Sequence, residues 1–159
     1  MKSIIISKKL SIFPKDLTHN IAPKLLEIAK IQIENSCSEE YGYILSVNKI
    51  TKIRNNIISP NTSNVIFDID CEITCLKPEK GKQYIGNIIV ISEHAIVLDI
   101  EGKFGVLVNM VNSDYKYDNT LNSFKKGKKE ISKDMKIKVE LTDIRYENRR
   151  YEGIGKLVN

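Results

Sequence analysis

The hydrophobic positions of this chain fall into segments of different period, and each period predicts a different element. From Ser3 to Phe13 the sequence is rich in isoleucine and stops at Pro14, which predicts a strand. Asn20 then stands where a helix N-cap is expected and Pro23 falls in the tolerant first turn. Ala22, Leu25, Leu26, Ala29 and Ile33 follow at three-and-four spacing, the mark of a helix with one apolar face that Asn35-Ser36-Cys37-Ser38 closes. From Tyr41 to Lys52 the expected strand puts Tyr41, Tyr43, Leu45 and Val47 on one side, with Gly42 where a large side chain would obstruct a close neighbour. Asn55-Asn56 and Ser59 to Asn64 bracket Ile57-Ile58, which predicts a projecting loop. The next alternation is the cleanest in the chain. Val65, Phe67, Ile69, Cys71, Ile73 and Cys75 share one face of a strand, and Ile66, Asp68, Asp70, Glu72 and Thr74 the other.

Lys77-Pro-Glu-Lys-Gly81 is a turn-forming cluster between two strand-rich halves, so a domain boundary is expected there, giving domains 1–78 and 79–159. Beyond it, strands are expected over Gln83–Ser92, His94–Ile100 and Lys103–Asn109. A long polar segment, Asn112 to Asp134, precedes two last strands, Lys136–Ile144 and Tyr151–Val158. Three strands, an excursion and two strands is the order of a five-stranded oligonucleotide-binding barrel.

Composition adds limits. Hydrophobic residues make up 42% and charged residues 28%, the balance of a folded chain, and no apolar run approaches the ~20 residues that cross a bilayer. An intracellular protein with no membrane partner is the expectation. The net charge of +5 suits an acidic partner, but the richness in Ile, Asn and Lys is also what an AT-rich coding sequence produces. Cys37, Cys71 and Cys75 form no CxxC pair, so packing is favoured over disulfide or metal chemistry.

Catalytic chemistry is poorly represented. His94 lies in a turn without an identifiable partner, and the row Asp68, Asp70, Glu72 resembles a magnesium site but reads first as a wetted strand face. No Walker loop, dinucleotide fingerprint or hydrolase elbow is present, and no cofactor, metal or catalytic residue is expected. Nucleic-acid chemistry is better represented. Lys82, Tyr84, Lys103, Phe104, Arg145, Tyr146, Arg149, Arg150 and Tyr151 interleave rings with positive charge, as single-stranded RNA requires. The run Lys125 to Lys129 reads as a mobile charged loop that could sweep a backbone.

The ordered set of short motifs resembles a known family. Pro14-Lys-Asp-Leu17 stands before the helix, Cys37-Ser-Glu-Glu-Tyr-Gly-Tyr-Ile44 after it, and Ile57-Ile58-Ser59-Pro60 beyond. Lys80-Gly-Lys-Gln-Tyr-Ile-Gly86 and Tyr151-Glu-Gly-Ile-Gly155 open and close the barrel. Together they resemble the larger stalk subunit of archaeal and eukaryotic RNA polymerases, the family of the seventh subunit of polymerase II and its archaeal counterpart. The resemblance implies an α+β, mostly β chain: a ribonucleoprotein-like tip module of antiparallel sheet plus one helix, then an S1/OB-type barrel. It implies a non-catalytic subunit of DNA-directed RNA polymerase that docks near the clamp of the largest subunits, assists initiation and guides nascent single-stranded RNA. A smaller stalk subunit is a further expected partner. Carried onto this sequence, the docking residues are Arg54, Ile57, Ile58, Ser59 and Pro60.

Two departures stand out: Arg54-Asn-Asn-Ile-Ile replaces a glycine-rich tip loop, and Glu93-His94-Ala95 replaces a glycine-aromatic turn of the barrel. With the compositional bias, they suggest a polymerase of a large cytoplasmic DNA virus, working in host cytoplasm or virion, with the nucleus as the alternative. The competing readings are a free-standing S1/OB-fold RNA-binding protein and, should Asp68 and Asp70 hold a divalent metal, a nuclease.

Overall fold

The computed structural model describes residues 1–158; Asn159, the last residue of the expected C-terminal domain, lies outside them. The chain divides into two compact units that part between Lys77 and Pro78.

In the first unit, β1 (Lys2–Ile12) runs into a short 3-10 turn at Pro14–Asp16 and then α1 (Ile21–Ile33). After it come β2 (Cys37–Ser38), β3 (Gly42–Ile58) and β4 (Val65–Leu76), and the antiparallel sheet has the order β1-β4-β3-β2. Leu25, Ala29 and Ile33 of α1 are buried, together with Leu10 and Ile12 of β1 and Phe67, Ile69, Cys71, Ile73 and Cys75 of β4. The strict alternation of β4 lets the central strand show one wholly apolar face to the helix. Asn20 occupies the N-cap position, but its side chain makes no capping hydrogen bond.

Strand β3 departs from expectation in two ways. It continues to Ile58, so Ile57 and Ile58 end a hairpin strand and are not in a loop; the reversal is confined to the residues after it, where the Ser59 N–H donates to the Asn64 carbonyl at 2.7 Å. Its inward face is also not the simple alternation of Tyr41, Tyr43, Leu45 and Val47, of which Val47 is in the core and Leu45 is not. Register shifts at Ile44/Ser46, Val47/Lys49, Ile50/Lys52 and Ile53/Asn55 place one extra residue after each pair of partnered ones. Ile44, Val47, Ile50 and Ile53 therefore lie opposite Cys75, Ile73, Cys71 and Ile69. Each β-bulge resets which side chain points inward, and a simple alternation cannot survive four of them.

The second unit contains β5 (Gln83–Ile91), β6 (Ala95–Ile100), β7 (Phe104–Asn109), β8 (Lys116–Asp118), β9 (Ser123–Lys126), β10 (Lys129–Ile131), β11 (Lys136–Glu147) and β12 (Arg150–Leu157). Five of these close a barrel in the order β11-β12-β7-β6-β5, with β12 parallel to β7 and the other neighbours antiparallel. This is the oligonucleotide-binding barrel expected from the strand order. Ile88, Ile96, Leu98, Ile100, Val106, Val108, Val139 and Leu141 fill the interior. The excursion Asn112–Asp134 contains a three-stranded sheet, β10-β9-β8, anchored by buried Phe124 and Ile131. Lys125 to Lys129 accordingly form a hairpin turning at Gly127, and the expectation of a mobile loop gives way to a folded, lysine-bearing sheet.

Candidate docking and nucleic-acid interfaces

In the first unit the expected docking residues gather at the far end of the β3–β4 hairpin. Ile57 is 55% and Ile58 72% exposed. Ile57 pairs with Ile66 and Ile58 with Val65, so consecutive side chains leave opposite faces of the hairpin. Pro60 is exposed and Ser59 half-buried. The turn is held to the sheet where the Asn64 side-chain amide donates to the Ser11 hydroxyl at 3.2 Å. Exposed isoleucine on a formed hairpin is costly in water and suits a surface that a partner covers.

Arg54, also expected at the docking surface, is turned back onto the sheet. Its Nε lies 3.1 Å from Asp70 Oδ1, which also accepts a 2.7 Å bond from the Ser7 hydroxyl. Asp68, Asp70 and Glu72 occupy the face of β4 opposite the helix, where Lys9, Lys49 and Lys52 are among their cross-strand neighbours. No group of three His, Cys, Asp or Glu is arranged to hold a metal among the described residues. The three cysteines form no disulfide among the described residues, and burial pushes each thiol above its ordinary value, so they stay protonated at neutral pH and act as packing groups.

In the second unit Lys103, Phe104, Arg145, Tyr146, Arg149, Arg150 and Tyr151 gather where β7 begins and the β11–β12 hairpin turns, and Tyr84 reaches Phe104, whereas the Lys82 backbone pairs with Leu141 in the middle of β11. Their roles differ. Phe104 is 3% and Tyr151 4% exposed, inside the barrel, so neither ring presents a face on which a base could stack. Tyr84 meets Phe104 edge to face at 5.9 Å and its hydroxyl accepts from the Glu79 N–H at 3.1 Å, and burial raises its pKa. Tyr146 packs on Tyr151 at 4.9 Å. The aromatic residues thus plug this end, because rings at alternating positions of neighbouring strands point inward once the barrel closes.

The basic residues sit around that plug. Lys82 lies 3.4 Å from Glu79, and Arg145 lies 2.8 Å from Glu147 and 3.6 Å from Glu152. Such exposed pairs are worth at most about 1 kcal/mol, so an incoming phosphate can take either cation. Lys103 is half-buried, whereas Arg149 and Arg150 are exposed at the hairpin turn. Asn148 and Arg149 both have positive φ, the mark of a tight two-residue turn. Beside Arg145, the barrel exterior bears a groove of about 450 Å³ lined by Val97, Leu107, Ile154 and Gly105, with Glu152 at its margin and no aromatic ring.

The opposite end of the barrel holds residues to which the sequence patterns do not point. Tyr115 there borders two grooves, one of about 310 Å³ with Lys126 and Lys156, the other of about 320 Å³ with Lys129 and Lys138. The available signal was lysine density, since 116–138 holds eight lysines against three carboxylates.

No known family profile matches the chain. Individual relatives do. The protein named DNA-directed RNA polymerase II subunit RPB7 of Glycine max is 21% identical over 170 residues, covering 97% of this chain and 90% of that protein. DNA-directed RNA polymerase II subunit 7 of Arabidopsis thaliana is 21% identical over 127 residues, covering 70% of this chain and 72% of that protein. The two matches agree: distantly, but along nearly its whole length, the chain is similar to the seventh subunit of RNA polymerase II.

Proposed function

We propose that this chain is a non-catalytic stalk subunit of a multi-subunit DNA-directed RNA polymerase. It would dock on the core subunits near the clamp through Arg54, Ile57, Ile58, Ser59 and Pro60, and assist initiation and transcript handling. The observation that carries the reading is the similarity to the seventh subunit over 97% of the chain. The exposed isoleucines at the hairpin end support the docking role, because partner burial would recover roughly 1.5 to 3 kcal/mol for each side chain. Since Ile57 and Ile58 leave opposite faces, the hairpin suits insertion into a cleft more than contact with a flat surface. In this reading Lys82, Lys103, Arg145, Arg149 and Arg150 form a basic rim toward RNA, with Tyr84 and Tyr146 behind it. The Ile, Asn and Lys bias supports a large-DNA-virus polymerase as the enzyme it serves.

Replacing both Ile57 and Ile58 with Asp tests the docking. The double variant should fold but fail to co-purify with tagged polymerase, and unchanged co-purification would overturn the assignment. A chain that sediments alone while binding RNA tightly with steep salt dependence would instead be a free-standing S1/OB-fold RNA-binding protein.

A further inference from the structure

The end of the barrel away from the arginine hairpin has the makings of a second ligand surface, independent of the polymerase reading. It is built where β7 and β12 end, β11 begins and the excursion sheet folds over. Tyr115 is half-buried between two grooves. Met110, Asn112, Lys126, Lys156 and Leu157 line the first, and Lys129, Ile131, Ile137, Lys138 and Val158 are among those lining the second. The Lys126 ammonium stands 5.9 Å from the centre of the Tyr115 ring. Carboxylates share the site: Asp114 pairs with Lys126 at 3.2 Å with its side chain 82% exposed, Glu140 pairs with Lys156 at 3.0 Å, and Glu130 borders the second groove; exposed pairs of this kind are worth at most about 1 kcal/mol, so a phosphate can displace them.

The surrounding stretch of sequence carries an excess of lysine. The eight lysines and three carboxylates of 116–138 equal the net charge of the whole chain, +5, so the rest of the sequence is balanced. Of these eight lysines, Lys126, Lys129 and Lys138 line the two grooves beside Tyr115. A flat ring with lysines on both sides meets the two needs of a single strand at once, since a base stacks on the ring while the flanking phosphates meet the ammonium groups. An acidic peptide would use the charge but need not supply a flat group for the ring, whereas every nucleotide carries one.

We propose that Tyr115, with Lys126 and Lys156 on one side and Lys129 and Lys138 on the other, forms a single-stranded nucleic-acid site distinct from the arginine hairpin.

The test is fluorescence anisotropy of the full chain with labelled oligo(U) and oligo(dT) of about twelve nucleotides, within the length such folds cover. Heparin serves as a polyanion without bases. Lys126→Glu with Lys129→Glu should weaken oligonucleotide binding at least tenfold. Neutralising the same two lysines to Gln should lower the salt slope by roughly 1.4, at about 0.7 for each phosphate released. Tyr115→Ala should weaken oligonucleotide binding about tenfold and leave heparin binding unchanged, while Tyr115→Phe keeps wild-type affinity. Should a glutamate variant misfold by circular dichroism, Lys129→Glu with Lys138→Glu replaces it. The proposal is overturned if the lysine variants bind normally while Arg149→Glu with Arg150→Glu abolishes binding. It is equally overturned if Tyr115→Ala changes nothing, which would leave only a polyanion-binding patch, or if the wild-type chain binds neither oligonucleotide. None of these substitutions touches the β3–β4 hairpin end, so co-purification with polymerase reports separately on the stalk reading.

Discussion

Gly42 carries two constraints at once. Its φ is +76°, which L side chains rarely adopt, and a Cβ there would come within 2.3 Å of the Leu76 carbonyl oxygen and 2.6 Å of the Lys77 Cα. Both neighbours are backbone, so neither can swing aside. The left-handed conformation alone costs about 1 to 2 kcal/mol for an alanine, and displacing backbone adds to it. Gly42→Ala should therefore lower stability by at least about 2 kcal/mol, read as a leftward shift of the urea midpoint, whereas Gly81→Ala meets no neighbour within 4 Å and should cost only its φ strain. The steric demand at Gly42 was legible because glycine between two tyrosines in a strand pattern is an anomaly. The fates of Phe104 and Tyr151 were not. An aromatic residue in a strand can face in or out, and only closure of the barrel decides which.

At the scale of elements, β3 is the instructive case. Ile44, Val47, Ile50 and Ile53, which lie opposite the apolar positions of β4, recur every third position, a spacing foreign to a regular strand, and the first three pack in the core. The structure accommodates it with Leu45, Asn48, Thr51 and Arg54 as extra residues that have no partner in β4. The side chains of these residues still serve the sheet: Asn48 donates to the Thr74 hydroxyl at 3.0 Å and the Thr51 hydroxyl to the Asp70 carbonyl at 3.1 Å. Glu34, just past the helix, accepts the Val47 N–H at 2.9 Å and so ties the bulged strand to α1. Deleting Thr51 should leave Ile50 opposite Cys71 and Ile53 opposite Ile69, so the variant should fold with a loss of about 1 kcal/mol for the missing hydrogen bond. Deleting Ile50 would put Lys49 or Thr51 in a core position and should cost several times more in thermal or urea denaturation. Equal losses in the two deletions would show that the bulges do not set the register. By contrast, β4 and the helix were legible because their periods of two and 3.6 are uninterrupted.

For the molecule as a whole, the apolar core of the first unit closes within residues 1–77, around α1 and its sheet, and the barrel interior closes within 78–158. Each unit thus holds its own hydrophobic driving force, and we propose them as separate domains. Expressed apart, the fragments 1–77 and 78–159 should each unfold cooperatively on heating; a fragment without a thermal transition would remove the boundary at Lys77 and Pro78.

The sequence by itself determined the strand and helix periods, the need for glycine at position 42, the strand order of the barrel and the ordered motifs that point to a polymerase stalk subunit. These depend on spacing along the chain, which residue type records directly. The tertiary structure alone decided which face of a bulged strand looks inward, which aromatic residues close the barrel, and that Lys126, Lys129, Lys138 and Lys156 meet beside Tyr115. Those outcomes depend on pairings between residues far apart in sequence, where one shifted register or one closed sheet reverses the direction a side chain points.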